Sequence, residues 1–516
     1  MRDADKRVVI IGAGPAGLTA AYELGKAGVR AVVLEKDDVV GGLSRTLRHK
    51  GFHFDIGGHR FFTKVGAVDD LWREVLPNGD FLRRRRLSRI YYDKKFFHYP
   101  LRLGPTLSNL GLRNSALILA SYLRARLFPL RREETFEQWV TNRFGRRFFR
   151  LFFKTYTEKV WGIPCDEITA EWAAQRIKDL SLFTAIKNVF VKPRAGDSGS
   201  VIKTLVEEFD YPSRGPGMMW ERMAALVERG GGEILTGARV ERLVCRGGRV
   251  EAVEVERAGE RLRVEGTHFV SSMPARELVG KLYPAAPAPV REAAHALNYR
   301  DFIVVMLVVG RAEVFPDNWL YIHEPEVRLG RVQNYKNWSP EMVPDASKTC
   351  LGLEYFCFEG DGLWAMPDAE LIELGKRELE RLGLVSAAEV EDGTVVRVEK
   401  AYPVYDSTYR ESLALMRDHL RGIDNLQLVG RNGMHRYNNQ DHSMLTAMLA
   451  VENILGADFD LWQVNAEGEY HEEVRRSAGP AAGELFGRLA STQPRVPTRV
   501  RAARPPVIPV EQYDEP

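Results

Sequence analysis

Val8–Glu35, VVIIGAGPAGLTAAYELGKAGVRAVVLE, carries a strand, a glycine turn, a helix, a second strand and a terminal acid in one run. Val8–Ile11 is unbroken apolar sequence, the pattern of a parallel strand buried on both faces. Gly12, Gly14 and Gly17 follow at G-x-G-x-x-G spacing, and apolar residues at helical period start there. A second strand, Ala31–Leu34, ends on Glu35. Each part has a task at a bound dinucleotide: Gly12 permits the tight turn, Gly14 lets the backbone reach a pyrophosphate, and Gly17 lets the helix lie close on the strand. The helix N-terminus turns unpaired N–H groups and a positive dipole end to phosphates, and Glu35 can accept from a ribose diol. The expected fold class is α/β with a Rossmann-type nucleotide-binding domain.

Composition sets the outer limits. A chain of 516 residues exceeds one ordinary core and predicts two or three subdomains. Hydrophobic content of 45% with 28% charged residues belongs to a soluble globular protein, and a net charge of +3 gives no reason to expect nucleic acid. Cys165, Cys245, Cys350 and Cys357 form no C-x-x-C pair, so neither a disulfide framework nor a zinc site is expected, and a reducing cytoplasm fits. Arg83–Arg86, with Arg89, Lys94 and Lys95, reads as a solvated strip or as a docking patch for anionic lipid or a polyanionic substrate. Ala116–Tyr122, flanked by Arg113, Arg124 and Arg126, is too short to span a bilayer. A buried helix is expected there, with a membrane surface as the other setting. The Pro- and Arg-rich tail from Ser491 is expected to be extended or disordered.

A second glycine pair, Gly41-Gly42, with Ser44, Arg45 and Thr46, comes directly after the acid. It resembles the continuation in amine-oxidase-like flavoproteins, where this segment runs past the FAD diphosphate, and implies FAD rather than NAD. The expected organisation is discontinuous. Residues 1–85, 201–290 and 401–460 form the FAD-binding domain, 86–200 a helical substrate subdomain, 291–400 an antiparallel-sheet substrate domain, and 461–516 a C-terminal helix and disordered tail. Strands are predicted at Val240–Cys245, Val250–Glu256 and Arg261–Val264 as a meander, then at Phe302–Val309, Cys350–Phe358 and Leu426–Val429. Helices are predicted at Glu370–Leu382 and His442–Leu455.

Four segments narrow the chemistry. Phe54–Phe62 reads FDIGGHRFF, where Gly57-Gly58 permit backbone approach to a flat ring and His59 can hydrogen-bond it. Tyr156–Arg176 reads YTEKVWGIPCDEITAEWAAQR, and Asn318–Pro340 holds Trp319, Tyr321, Arg331 and Trp338, with Tyr402-Pro403 further on. Gly430–Ser443 reads GRNGMHRYNNQDHS. Arginines on separate segments suit a diphosphate, because the planar fork offers paired donors to its oxygens. Together, between Val8 and Leu455, these segments resemble the UDP-galactopyranose mutase family, flavoenzymes that interconvert pyranose and furanose forms of nucleotide sugars.

That resemblance implies roles. His59, Arg176, Arg331 and Asn439 would act in catalysis, with the two arginines on the diphosphate and Asn439 beside the sugar. Gly12, Gly14, Gly17, Glu35, Gly42, Ser44, Gly58, His59, Gly430, Arg431 and Gln440 would hold FAD, with Asp441 capping a helix aimed at the flavin. Phe62, Tyr99, Arg102, Thr157, Trp161, Trp319, Tyr321, Trp338, Tyr402 and Tyr437 would join Arg176, Arg331 and Asn439 around the substrate. Reduced FAD would be the active form, attacking the sugar through N5 to form an adduct, with NAD(P)H as the implied reductant. Arg102 stands where the eukaryotic enzymes have a uracil-reading glutamine, Thr157 replaces an asparagine, and Arg60 and Phe61 depart from the histidine loop. The sugar and base therefore stay open, as does oligomeric state. One alternative is an amine-oxidase-like or protoporphyrinogen-oxidase-like oxidoreductase, against which the two arginines argue. The other is a flavin-binding module docked to a membrane glycosyltransferase through Arg83–Arg89.

Overall fold

The structure is a computed structural model and describes residues 6–77, 79–99, 101, 103–170, 204–205, 208–465, 473–474 and 507–509. Strand β1 (Val8–Ile11), helix α1 (Pro15–Lys26) and strand β2 (Ala31–Leu34) form the expected first unit. β1 pairs in parallel with β2 on one side and His268–Ser271 on the other. Over the described residues this sheet has five strands, with Glu233–Leu235 beyond β2 and Leu426–Leu428 at the opposite edge. Both faces of β1 are covered, which is why its sequence does not alternate. Gly12 takes φ +99°, and a Cβ on Gly17 would stand 1.8 Å from the Gly12 carbonyl oxygen. Only glycine lets α1 lie at this depth.

The meander Ala238–Arg246, Arg249–Arg257 and Glu260–Glu265 is antiparallel as expected. A larger mixed sheet holds Tyr299–Val309 next to one edge, buried along its whole length between Thr349–Cys357 and the edge strand Val390–Pro403. Its side chains alternate between two cores. Ile303, Val305 and Leu307 pack with Leu371 and Leu379 of helix Asp368–Arg381. Met306 and Val308 pack with Phe52, Phe54 and Trp338.

The expected boundary at residue 86 is corrected here. Hairpin Ser88–His98 extends the large sheet rather than the helical block, because Ser88–Tyr91 pairs in parallel with Trp319–Ile322. The arginine run is thereby divided between strands and given partners. Arg83 meets Asp210, Arg85 meets Glu208, Arg89 binds Asp317, and Arg84 donates to the Trp338 carbonyl at 2.6 Å.

Helix α2 (Leu103–Leu127) breaks at Gly111, which has φ 78°. It turns only part of its surface inward through Ile118, Tyr122 and Ala125, which corrects the expectation of a buried helix. No helix among the described residues is long and apolar enough to cross a membrane. Helix α3 (Gln440–Ile454) runs through the core and packs on α1. Its N-cap is Asn439, not Asp441: the helix starts at Gln440, and the His442 ring accepts the Asn439 backbone N–H at 3.3 Å. Of the expected C-terminal helix, a short turn at Leu461–Gln463 is described. Val507–Pro509 in the tail lies extended against Leu262–Val264.

Candidate active site

A cavity of about 1430 Å³ runs from the end of β1 to the helical block. A pocket for one small ligand holds roughly 300–1,000 Å³, so this one has room for a dinucleotide and a second molecule. Gly12, Gly14, Glu35, Gly42 and Ser44 line one end. Gly14 and Gly42 face each other so closely that a Cβ on Gly42 would lie 3.1 Å from the Gly14 Cα. Glu35 is buried, its carboxylate accepting the Ala13 N–H at 2.7 Å and the Asp37 N–H at 3.0 Å. Each oxygen keeps a lone pair for a ribose hydroxyl. Burial holds this carboxyl above its usual range. Gly17 lies behind this wall, where it seats α1. Glycine faces, backbone donors and a fixed acid fit the expected FAD.

The histidine loop crosses the middle of the cavity. A Cβ on Gly58 would enter the Trp319 ring, at 1.7 Å. His59 lines the cavity with Nε2 3.3 Å from the Ile56 carbonyl. Burial pushes its pKa down to about 3, aided by the Arg431 and Arg331 guanidiniums, so the ring is neutral at physiological pH. Gln440, in the first turn of α3, donates to the His59 carbonyl at 2.9 Å and accepts the Trp220 indole N–H at 3.2 Å. Loop and helix start are thus fixed to each other.

Arg331 is buried on the far wall. It donates to Tyr402 Oη at 2.9 Å and forms an ion pair with Glu354. Burial works against its charge, but Glu354 and then Tyr402 and Tyr156 hold it firmly protonated. Tyr402 stacks on Tyr437 at 5.4 Å, and the Arg431 guanidinium lies 4.7 Å from the Tyr437 ring. Arg431 also donates to the carbonyls of Asn438 and Ala401, so it ties the loop before α3 to the large sheet. Trp161 stands edge-on to Tyr402 at 6.0 Å. Tyr99 leans on Tyr321 at 4.7 Å, and Trp319 lies 5.7 Å from Tyr321. Phe62, Thr157, Gly430 and Asn439 line the same cavity.

Trp338 does not join them. It is the last residue of a short helical turn, Tyr335–Trp338, capped by Asn334, and its ring stacks on Tyr211 at 5.1 Å inside the core. Arg102 and Arg176 lie outside the described residues. Sequence reading missed Glu354, fully buried, which also accepts from Gln333 Nε2 at 2.7 Å. A lone acid in the apolar strand CLGLEYFCF was the available signal, because such a group needs a cation. Tyr156 and His323 were missed too; they stack at 4.5 Å and line the cavity. Burial, then Lys159, pushes His323 down to about 3.

A family model described as flavin containing amine oxidoreductase matches residues 15–455. Among curated proteins, an L-amino-acid oxidase of Crotalus adamanteus is 52% identical over 75 residues, and that match spans 14% of each chain. One from Pseudechis australis is 32% identical over 112 residues, covering 19% of this chain and 22% of that protein. Solved structures align along most of the chain. A reduced UDP-galactopyranose mutase has TM-score 0.76 at 22% identity, covering 90% of this chain and 98% of that one. A putrescine oxidase bound to putrescine has TM-score 0.58 at 17% identity, covering 88% and 99%.

Proposed function

This chain belongs to the flavin containing amine oxidoreductase family, and from that premise we propose that it is a mutase interconverting pyranose and furanose forms of a nucleoside-diphosphate sugar. The observation that carries this reading is the wall around Arg331: a buried guanidinium bonded to Tyr402, with Tyr437 and Arg431 beside it, opposite His59. Glu354 offsets the Arg331 charge, yet beside the burial that chiefly lowers His59, Arg431 and Arg331 both disfavour a positive charge on its ring, so this part of the cavity favours an anion. An anionic substrate suits such a site and an ammonium does not. The structural likeness to the reduced mutase, at 22% identity over 90% of this chain, supports the same reading.

FAD bound along Gly12–Gly14 and Glu35 would supply, when reduced, an electron-rich ring nitrogen able to act as a nucleophile. The chain's own residues do the rest. Arg331, Tyr402 and Tyr437 hold the diphosphate through donor groups, joined by Arg176. Neutral His59 offers the flavin edge a hydrogen bond without adding charge. The N-terminus of α3 turns its positive end towards the cavity, which favours an anionic reduced ring. Trp161, Tyr99 and Tyr321 give flat surfaces for base or sugar. NAD(P)H is the proposed reductant, without net consumption.

The second reading, an oxidoreductase of the amine-oxidase or protoporphyrinogen-oxidase type, draws on the family match and the aromatic wall. One experiment separates the two. Reduced enzyme is incubated with UDP-, dTDP- and GDP-sugars, oxidised enzyme is incubated in air with amines and amino acids, and the products of each are resolved. An isomeric nucleotide sugar formed without net redox change supports the mutase. Stoichiometric hydrogen peroxide from an amine or amino acid, with no isomer formed, overturns it.

A further inference from the structure

We propose that α2 and the turn after it dock this protein onto an anionic lipid bilayer. Most large apolar side chains left exposed among the described residues fall between positions 112 and 130. Leu112, Ala116, Leu119, Leu123 and Leu127 recur at helical spacing along one outward face, opposite the inward Ile118, Tyr122 and Ala125. Leu112 is 92% exposed, Leu127 72% and Phe128 76%. Phe128 and Leu130, just past the helix end, are exposed as well. Side chains of this size in an unbroken stripe mark a contact surface rather than ordinary scatter.

Charge selects the partner. From Leu103 to Arg132 the sequence has no Asp or Glu, whereas Arg113, Arg124, Arg126, Arg131 and Arg132 are all exposed around the stripe. Among the described residues, Arg132 meets an acid only at Glu134, 3.8 Å away. An apolar face rimmed by arginines is the composition of a helix lying in a headgroup layer, with leucines inserted and guanidiniums on lipid phosphates. A symmetric contact with a second copy would set these arginines against their equivalents. The Arg83–Arg89 run suits this part less well, because it adjoins no such apolar stripe and Arg83, Arg85 and Arg89 are paired with Asp210, Glu208 and Asp317.

The patch also backs onto the cavity. α2 rests on helices Phe136–Phe144 and Arg146–Phe149, and Phe136, Phe152 and Phe153 of this block line the cavity's apolar end. Docking would bring that end towards the lipid.

Flavin-loaded protein is sedimented with vesicles of phosphatidylcholine alone and of phosphatidylcholine with phosphatidylglycerol. Binding to the anionic vesicles, weakened by salt, is expected. Leu123→Glu/Leu127→Glu and Arg124→Glu/Arg126→Glu should each cut binding by about tenfold or more with flavin content unchanged. Three results overturn the proposal. Wild type fails to bind either vesicle. Binding persists unchanged in both variants. Or wild type ignores vesicles but is an oligomer that Leu123→Glu/Leu127→Glu dissociates, making the face a contact between copies.

Discussion

Asp55 ends the strand that feeds the histidine loop, and it is fully buried, accepting the hydroxyls of Tyr211 and of Thr46, the latter at 2.8 Å. Burial pushes its carboxyl up to about 7 against the pull of those two bonds. In the unfolded chain it titrates near 4. Between these values the folded state holds a proton that the unfolded state has released. Stability therefore falls as pH rises from about 4 to about 7, by roughly 1.4 kcal/mol per unit, and levels off above. An asparagine mimics the protonated acid, accepting from Thr46 and donating to Tyr211. Asp55→Asn should raise the melting temperature at pH 8, with the gain shrinking towards pH 4; a gain independent of pH would refute the assignment. Arg331 needs a gentler change than alanine, which would strand buried Glu354 at a cost of about 3–5 kcal/mol. Arg331→Lys keeps the charge and loses the fork. Nucleoside-diphosphate affinity should drop by about 1.5–3 kcal/mol while flavin content holds, as titration of the variant can check. Gly12 and Glu35 were legible from turn and dinucleotide chemistry, whereas His59 and Arg331 were named through the family resemblance; all four line one cavity. Trp338 was not legible, because an indole serves core and pocket equally well and only its neighbour Tyr211 decides.

At the scale of elements, α1 offers a comparison within one helix. Gly17 and Gly25 both lie in it, but a Cβ on Gly17 meets the Gly12 carbonyl at 1.8 Å, and one on Gly25 meets nothing within 4 Å. Gly25→Ala should stabilise the protein by about 0.4–1 kcal/mol. Gly17→Ala should cost about 1–3 kcal/mol by lifting the helix from the strand, and should empty the flavin site. Thermal melts and the flavin-to-protein absorbance ratio test both; equal effects would mean the helix seat is not tight. Period made such elements readable. β1 is apolar throughout because both faces are covered, and α3 ends a strand–loop–helix unit of the same kind. Hairpin Ser88–His98 was misassigned because its sheet is set by Trp319–Ile322, far along the chain, and no local pattern encodes that choice. The start of α3 shifted for a subtler reason. Asn439 and Asp441 are both good caps by residue type, and the start is marked by the pairing of the Asn439 backbone N–H with the His442 ring three residues on.

Across the whole molecule, the cavity is built from three bodies of structure. Arg331 and Tyr402 come from the large sheet, Tyr437 from the loop before α3, and Tyr156 and Trp161 from the helical block. A nucleoside diphosphate held by all three would bind only the assembled fold, and so would stabilise it as one unit. Ligand at a hundred times its Kd adds about 2.7 kcal/mol. Thermal melts of the flavin-loaded protein should therefore show a single transition that rises by a few degrees with the preferred nucleotide and hardly moves in Arg331→Lys. Splitting into two transitions, only one of which responds, would mean that the substrate touches one body alone. The same melts rank the bases. Arg102 offers donors only, whereas glutamine both donates and accepts, so an arginine facing the base favours acceptor-rich edges such as guanine O6/N7. GDP should then shift the melt more than UDP or dTDP, and Arg102→Gln should move the preference to UDP. A UDP preference in wild type that this substitution leaves intact would take Arg102 out of base selection, leaving the stacking surfaces of Tyr99 and Phe62 to hold the base.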